Sequence, residues 1–359
     1  MQTNGTNDAF AQRQSDRGTS RCKGDPQAAL TAHKCLKRLK VSAILHLSRK
    51  GIILMKDSDW KQLTHTLSGL NIREKEPLSK HTTLNVGGPA RLFIEPRTES
   101  EALSALRAIR DAGAPLLVLG NGSNLLVCDA GFDGVVMHFG KAMSDITVSG
   151  TRITAQSGAP LPTVCQVAGA AALEGLEFAA GIPATLGGAA CMNAGAYGAQ
   201  MCDTLVCVRC ATPDGQAVDI PADRMDYGYR SSRALKEHLI VLSACFSLKE
   251  GDRDTIYEKI ADYRKRRKAC QPLTYPSAGS FFRRPEGHFA GALIEQAGLK
   301  GFSVGAAQVS ELHAGFLINL GGATARDFIA LAEKVRQIVH EKSGIWLESE
   351  VRMVGDDQA

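Results

Sequence analysis

The stretch Leu176-Glu-Phe-Ala-Ala-Gly-Ile-Pro-Ala-Thr-Leu-Gly-Gly-Ala-Ala-Cys-Met-Asn-Ala-Gly-Ala-Tyr-Gly198 decides how the rest of this chain reads. It carries no charge after Glu177, and five glycines, at 181, 187, 188, 195 and 198. An ordinary surface loop would be polar, and Pro183 with the glycines breaks any membrane span. Small residues let a backbone approach another backbone, or a ligand, closely. The N–H groups from Thr185 to Gly188 offer a phosphate cradle. Two readings stand at this point, a tight helix-packing segment and a ligand cradle.

The 359 residues exceed one small core and predict two or three domains. Hydrophobic content of 44% with 22% charge describes a soluble globular chain, and no run of 18 apolar residues predicts a membrane helix. The net charge of +5 is unevenly spread. Residues 1–55 hold ten Lys or Arg against three Asp, a surplus of +7, so the remainder carries −2 and gives no electrostatic footprint for nucleic acid. The leader, 1–54, is polar and then basic. It is expected to be a dispensable tail or upstream sequence, with Met55 the native start. The ten cysteines show no paired spacing except Cys207 and Cys210, which fall in an expected strand and are not expected to act as a pair. Scattered thiols suit a reducing cytoplasm.

Outward from the opening stretch, helical spacing predicts a helix over 57–70 through Trp60, Leu63, Leu67 and Leu70. Thr98 with Glu101 predicts a capping box for a helix reaching Ala112. A strand over 115–119 delivers Gly120-Asn121-Gly122-Ser123-Asn124, a second glycine-rich loop able to cradle phosphate. Two such loops in one region suggest a dinucleotide with a pyrophosphate. Neither fits G-x-G-x-x-G in a βαβ unit, so a Rossmann site is not supported. A helix over 254–268 ends in Arg264-Lys265-Arg266-Arg267-Lys268, read either as a solvated helix end or as an attractor of anionic substrate. Thr324 and Asp327 begin a last helix with Phe328, Leu331, Val335 and Ile338 facing inward. A closing strand over 345–352 is expected, with Glu348 and Glu350 on one face.

Taken together the motifs resemble those of the UDP-N-acetylenolpyruvylglucosamine reductase family. They are Thr83-Leu-Asn-Val-Gly-Gly88, Leu119-Gly-Asn-Gly-Ser-Asn124, Gly181-Ile182-Pro183 with Gly187-Gly188, Asn193-Ala-Gly-Ala-Tyr-Gly198, Tyr229-Arg-Ser-Ser232, Ala278-Gly-Ser-Phe-Phe282 and Leu347-Glu-Ser-Glu-Val351. The resemblance covers residue 57 to the end, and its strength lies in the order and spacing of the set. A short span from Arg230 to Ser280, with His313-Ala-Gly-Phe316 in place of a longer segment, looks like the family's compact subtype.

The resemblance implies an α+β fold: a two-part FAD-binding domain of the vanillyl-alcohol-oxidase (PCMH) type, divided as 55–140 and 141–268, and a C-terminal α+β substrate-binding domain over 269–359. It implies non-covalent FAD with NADPH as hydride donor, and no metal. The implied reaction reduces UDP-N-acetylglucosamine enolpyruvate to UDP-N-acetylmuramate in peptidoglycan precursor synthesis for the cell wall. By the same resemblance Ser280 is the proton donor, with Arg230 and Glu350 as catalytic partners. Asn121, Gly122, Ser123, Asn124, Gly181, Ile182, Gly187 and Gly188 are expected at the flavin. Tyr197, Tyr229, Arg284 and His313 are expected at the substrate. No nucleic-acid or membrane partner is expected, and the chain is expected to be a cytoplasmic monomer. The competing readings are another FAD-linked oxidase of the same cofactor fold, and a non-catalytic nucleotide-sugar binding protein.

Overall fold

The computed structural model describes residues 55–355, so the expectations for residues 1–54 lie outside the described residues. Helix α1 (Asp57–Thr66) forms over the first part of the expected span and stops short of Leu70, with Trp60, Leu63 and the following Leu67 all buried and Leu70 partly so. The chain continues through β1 (Asn71–Pro77), β2 (Pro89–Glu95), α2 (Glu99–Asp111), β3 (Leu116–Leu119), β4 (Leu125–Val127) and β5 (Phe132–His138). Four of these strands form a sheet in the order β1-β2-β5-β3, antiparallel at β1/β2 and parallel elsewhere. The parallel part requires a crossover, which α2 supplies. Leu106 and Ile109 of α2 share a core with Trp60, Leu63, Leu92, Ile94 and Val135.

Only half of the capping box expected at α2 is made. Thr98 Oγ1 accepts from Glu101 N at 3.1 Å. The Glu101 carboxylate turns instead to Arg97, accepting from its N–H and pairing with its guanidinium, both at 2.8 Å. A cation one residue upstream outcompetes a neutral N–H for that carboxylate.

Next come β6 (Ile146–Ser149), β7 (Arg152–Gln156), α3 (Leu161–Ala170), β8 (Leu173–Glu174), α4 (Leu186–Cys191), β9 (Gly195–Ala196), β10 (Ala199–Gln200), β11 (Leu205–Ala211), β12 (Ala217–Pro221), α5 (Arg233–Lys236), β13 (Ile240–Ser247), β14 (Lys249–Glu250) and α6 (Arg253–Cys270). A second, antiparallel sheet runs β12-β11-β13-β7-β6. Its residues Ile153, Val208 and Phe246 share one core with Val164 of α3, Leu186 of α4 and Ile256 and Ile260 of α6. Cys207 is half-buried and Cys210 buried, and all eight described cysteines are free thiols.

The last part holds β15 (Ser277–Ser280), α7 (Ala290–Gln296), β16 (Ser303–Val304), β17 (Ala307–Val309), β18 (Phe316–Asn319), α8 (Ala325–Ser343) and β19 (Arg352–Val354). A third sheet runs β15-β18-β17-β16, and its core takes in α7, α8 and Leu84, Val86 and Leu126 from the first part. At α8 the full capping box between Thr324 and Asp327 is present, and Gly344 closes the helix at φ +73°. Ile338 is only partly buried, while Val339 beside it is fully buried.

The closing strand expected over 345–352 is mostly irregular. Regular pairing covers only β19, which runs parallel to β4. Glu350 N and Val351 N converge on the single carbonyl of Phe281, at 2.9 and 3.4 Å, and this interrupts the strand alternation. Glu348 and Glu350 therefore do not share a face: their side chains are 74% and 11% exposed. Among the described residues, no helix is long and apolar enough to cross a membrane.

Candidate functional site

β3 ends in the loop Gly120-Asn121-Gly122-Ser123-Asn124, which turns directly into β4. Gly122 has φ +58°, and a Cβ there would strike the His81 carbonyl, so only glycine fits. Asn121 Nδ2 donates to Pro183 O at 2.8 Å, tying this loop to the second glycine-rich stretch. In that stretch α4 begins after Thr185. The expected cradle of consecutive N–H groups is broken, because Leu186 N and Gly187 N donate to Ala159 O and Ser157 O at 2.8 and 2.9 Å. Gly187 is buried, and a Cβ on it would collide with Ser157, whereas Gly188 is exposed with no atom nearer than 3.8 Å to its Cβ position. Packing therefore explains Gly187, whereas Gly188 faces open space.

The two loops wall a cleft of about 690 Å³, within the usual range for small-molecule and cofactor sites of ~300–1,000 Å³. Asn121, Gly122, Ser123, Asn124, Ile182, Gly187 and Gly188 line it, along with apolar Leu119, Phe139, Leu239 and Val241. Gly181 does not line it; a Cβ there would lie 2.8 Å from Cδ of Arg267. Backbone and Ser/Asn donors beside an apolar lining suit a group with a pyrophosphate and a flat ring, so these residues fit FAD.

Arg230, Ser280 and Glu350 line the same cleft, from three separate segments. Ser280 ends β15, paired with Phe316 of β18, and its side chain is free of hydrogen-bond partners among the described residues. The next residue, Phe281, accepts from Glu350 N, which sets Glu350 beside the end of β15. Asn124 Nδ2 donates to Glu350 O at 3.2 Å, and Arg352 N to Asn124 O at 3.0 Å, so the first glycine loop is stitched to the same segment. Arg230 occupies φ +51° in a turn and donates from Nε to Glu350 Oε1 at 2.7 Å. Tyr229, before it, donates from its hydroxyl to Glu350 Oε2 at 3.1 Å. Burial, and then the Glu350 charge, raise the Tyr229 phenol above its ordinary value, which keeps it a donor.

Residues 271–354 match the family model described as UDP-N-acetylenolpyruvoylglucosamine reductase, C-terminal domain, and residues 90–221 match an FAD binding domain. The UDP-N-acetylenolpyruvoylglucosamine reductase of Clostridium botulinum (strain Hall) is 48% identical over 287 residues, covering 80% of this chain and 94% of that one. The chain belongs to this family. A relative of the same name from Clostridioides difficile (strain 630) is 43% identical over 295 residues, covering 82% of this chain and 97% of that one. The crystal structure of UDP-N-acetylenolpyruvylglucosamine reductase from Thermus caldophilus superposes with a TM-score of 0.70 at 36% identity, covering 80% of this chain and all of that one. The α+β architecture with a PCMH-type FAD-binding domain is therefore that of the reductase family.

Of the four residues the reductase resemblance placed at the substrate, only Tyr229 touches the Arg230–Glu350 pair, and none of the four lines the cleft. Tyr197 stacks on Tyr263 with ring centroids 4.3 Å apart and donates to its carbonyl at 2.9 Å. Arg284 lies over the Phe289 ring at 4.0 Å. His313 holds its own loop: its Nδ1 accepts from Gly315 N at 3.1 Å, and burial lowers its proton affinity.

Among the cleft residues that the sequence did not single out are His238, Gln271 and Arg352, and Arg267 was named only as part of a basic run. The signal for Arg267 lay in the basic run 264–268, which the structure splits. Arg264 donates to Ala180 O at 3.4 Å, Arg266 pairs with Asp262 at 2.7 Å, and Arg267 turns to the cleft. Burial lowers the proton affinity of Arg267, and no acceptor among the described residues meets its guanidinium. Gln271 buries its amide oxygen with no donor among the described residues.

Proposed function

We propose that this chain reduces UDP-N-acetylglucosamine enolpyruvate to UDP-N-acetylmuramate with NADPH, in peptidoglycan precursor synthesis. FAD, when bound, carries the hydride from NADPH to the substrate. The observation that carries the reading is the meeting of Arg230, Ser280 and Glu350 in one cleft beside two glycine-rich loops.

The net change adds a hydride to the terminal enolpyruvyl carbon and a proton to the carbon bearing the carboxylate. Charge therefore develops on that carboxylate and its neighbour. Arg230 pairs the carboxylate and stabilises the developing charge. Its Nε is held by Glu350, and its two terminal nitrogens meet no acceptor among the described residues. Ser280 Oγ delivers the proton. A serine hydroxyl is a weak acid, so its competence comes from placement beside the charged pair. Glu350, gripped by Arg230 and Tyr229, fixes both against the Ser280 strand. Arg267 and Gln271 are proposed to meet the anionic, amide-bearing part of a nucleotide sugar.

The Asn121–Asn124 loop and Gly188 are proposed to hold the flavin diphosphate. The division at 55–140, 141–268 and 269–359 is proposed from the family resemblance; each part centres on its own sheet, although the cores share residues across the boundaries. Action in the cytoplasm as a monomer belongs to the same proposal, and free thiols suit that compartment.

The test is the visible spectrum of the purified protein under anaerobic conditions. A flavin band that bleaches with NADPH and returns only with the enolpyruvyl sugar supports the reading. A protein that cannot be loaded with FAD favours the non-catalytic nucleotide-sugar binder. Colour that returns with simple alcohols or sugars favours an oxidase.

A further inference from the structure

We propose that Asn193 is a positioning residue for Arg230, holding the strained turn that presents the guanidinium; this rests on the role proposed above for Arg230. Tyr229 and Arg230 are the central residues of a turn closed by reciprocal bonds, Gly228 N to Ser231 O at 3.1 Å and Ser231 N to Gly228 O at 3.2 Å. Arg230 occupies φ +51°, where glycine or asparagine is usual. Such a conformation costs free energy and persists only where its surroundings over-determine it.

Those surroundings come from the end of α4. Asn193 is 2% exposed and itself left-handed at φ +45°, which asparagine tolerates. Its Nδ2 donates to Gly228 O at 3.2 Å and to Gln200 Oε1 at 3.0 Å, and its Oδ1 accepts from Cys202 N at 3.1 Å. The Gly228 carbonyl thus receives two donors, one from within the turn and one from Asn193. On the other side of the turn, fully buried Ser232 donates from Oγ to Cys191 O at 2.6 Å. The base of the turn is therefore anchored twice to residues 191–193. The same segment, at its start, presents Gly187 and Gly188 to the cleft. One rigid piece of chain fixes both the glycine wall and the cation opposite Glu350, and Asn193 is the side chain that transmits the alignment.

The experiment uses rapid mixing of the FAD-loaded full chain. It follows bleaching by NADPH and return of colour with the enolpyruvyl sugar, for Asn193→Asp, Arg230→Lys, the double variant and Gln200→Ala. Asn193→Asp keeps the size and the acceptor to Cys202 N but removes the donor to Gly228 O. Misplacement of a reacting group by about 1 Å costs up to ~100-fold, so the return of colour is expected to slow by about 10- to 100-fold. Bleaching and FAD content are expected to stay within about twofold of the parent. In the Arg230→Lys background the further loss is expected to fall within about twofold, because both changes act through one group. Gln200→Ala, which removes the other partner of the same amide, is expected to match the parent. Equal loss in both half-reactions, full multiplication of the two losses, or an equal defect in Gln200→Ala would overturn the positioning role while leaving that of Arg230 intact. A parental rate in Arg230→Lys would contradict the role of Arg230 itself, and the positioning claim with it.

Discussion

Arg230 Nε donates to Glu350 Oε1 at 2.7 Å, joining the tip of a strained turn to a segment 120 residues later. Tyr229 takes the other oxygen of the same carboxylate. Two adjacent turn residues thus hold one acid in register with Ser280. Lysine cannot reproduce this grip, because a point charge replaces a planar fork. Arg230→Lys is expected to slow the substrate half-reaction by at least about 100-fold. Glu350→Gln keeps the shape and removes the charge, and is expected to slow the same step. Comparison of single-turnover rates with NADPH and with the enolpyruvyl sugar checks both variants.

The glycines of the two loops separate by experiment. Gly122→Ala forces a side chain into φ +58° against the His81 carbonyl, and is expected to cost about 2–4 kcal/mol of stability. Gly188→Ala meets nothing nearer than 3.8 Å. It should leave stability unchanged or raise it by up to about 1 kcal/mol, as alanine does for glycine in a helix, and weaken FAD retention, because the added methyl enters the cleft. Denaturant unfolding of the apoprotein, beside FAD titration of each variant, distinguishes the two.

Much of this was legible in the sequence, for physical reasons. Thr324 with Asp327, and the apolar spacing of Phe328, Leu331 and Val335, specify α8 locally. The glycine loops were legible because positive φ and close approach leave few other residue types. Features that depend on a distant partner were not legible. The Glu101 carboxylate chose Arg97 over the Thr98 N–H. The alternation of Glu348 and Glu350 failed because Phe281, nearly 70 residues away in sequence, accepts two successive N–H groups. Arg267 was hidden in a run of five basic residues, and only the rotation of α6 against the cleft selects it. His313 was named by the family resemblance, and the bond its Nδ1 accepts from Gly315 N involves a backbone group that no side-chain pattern reveals.

A pH effect on stability follows from His138. Its Nδ1 meets Glu95 at 2.8 Å, and Glu95 also pairs with Arg73 at 2.7 Å, with the His81 ring 5.5 Å away. Burial, the dominant influence, lowers the His138 proton affinity from its ordinary value of 6.5, although Glu95 opposes the change. The unfolded chain then binds the proton more readily than the folded chain just below that value. Stability is full above about pH 6.5 and falls as the pH drops toward the folded-state value. The melting temperature is expected to decline from about pH 7 to about pH 5.5, and His138→Gln should flatten that slope. A melting temperature that rises with acidification over this range would contradict the sign.

The role of Ser280 offers the most direct test, since its hydroxyl has no hydrogen-bond partner among the described residues and its proposed work is purely chemical. The measurement is rapid mixing of FAD-loaded Ser280→Ala, first with NADPH and then with the enolpyruvyl sugar. Loss of a general acid typically costs about 10²- to 10⁴-fold. Bleaching by NADPH is expected at close to the parental rate, and return of colour is expected to be slowed by that factor. Equal slowing of both steps, or a return of colour as fast as the parent's, would contradict that role.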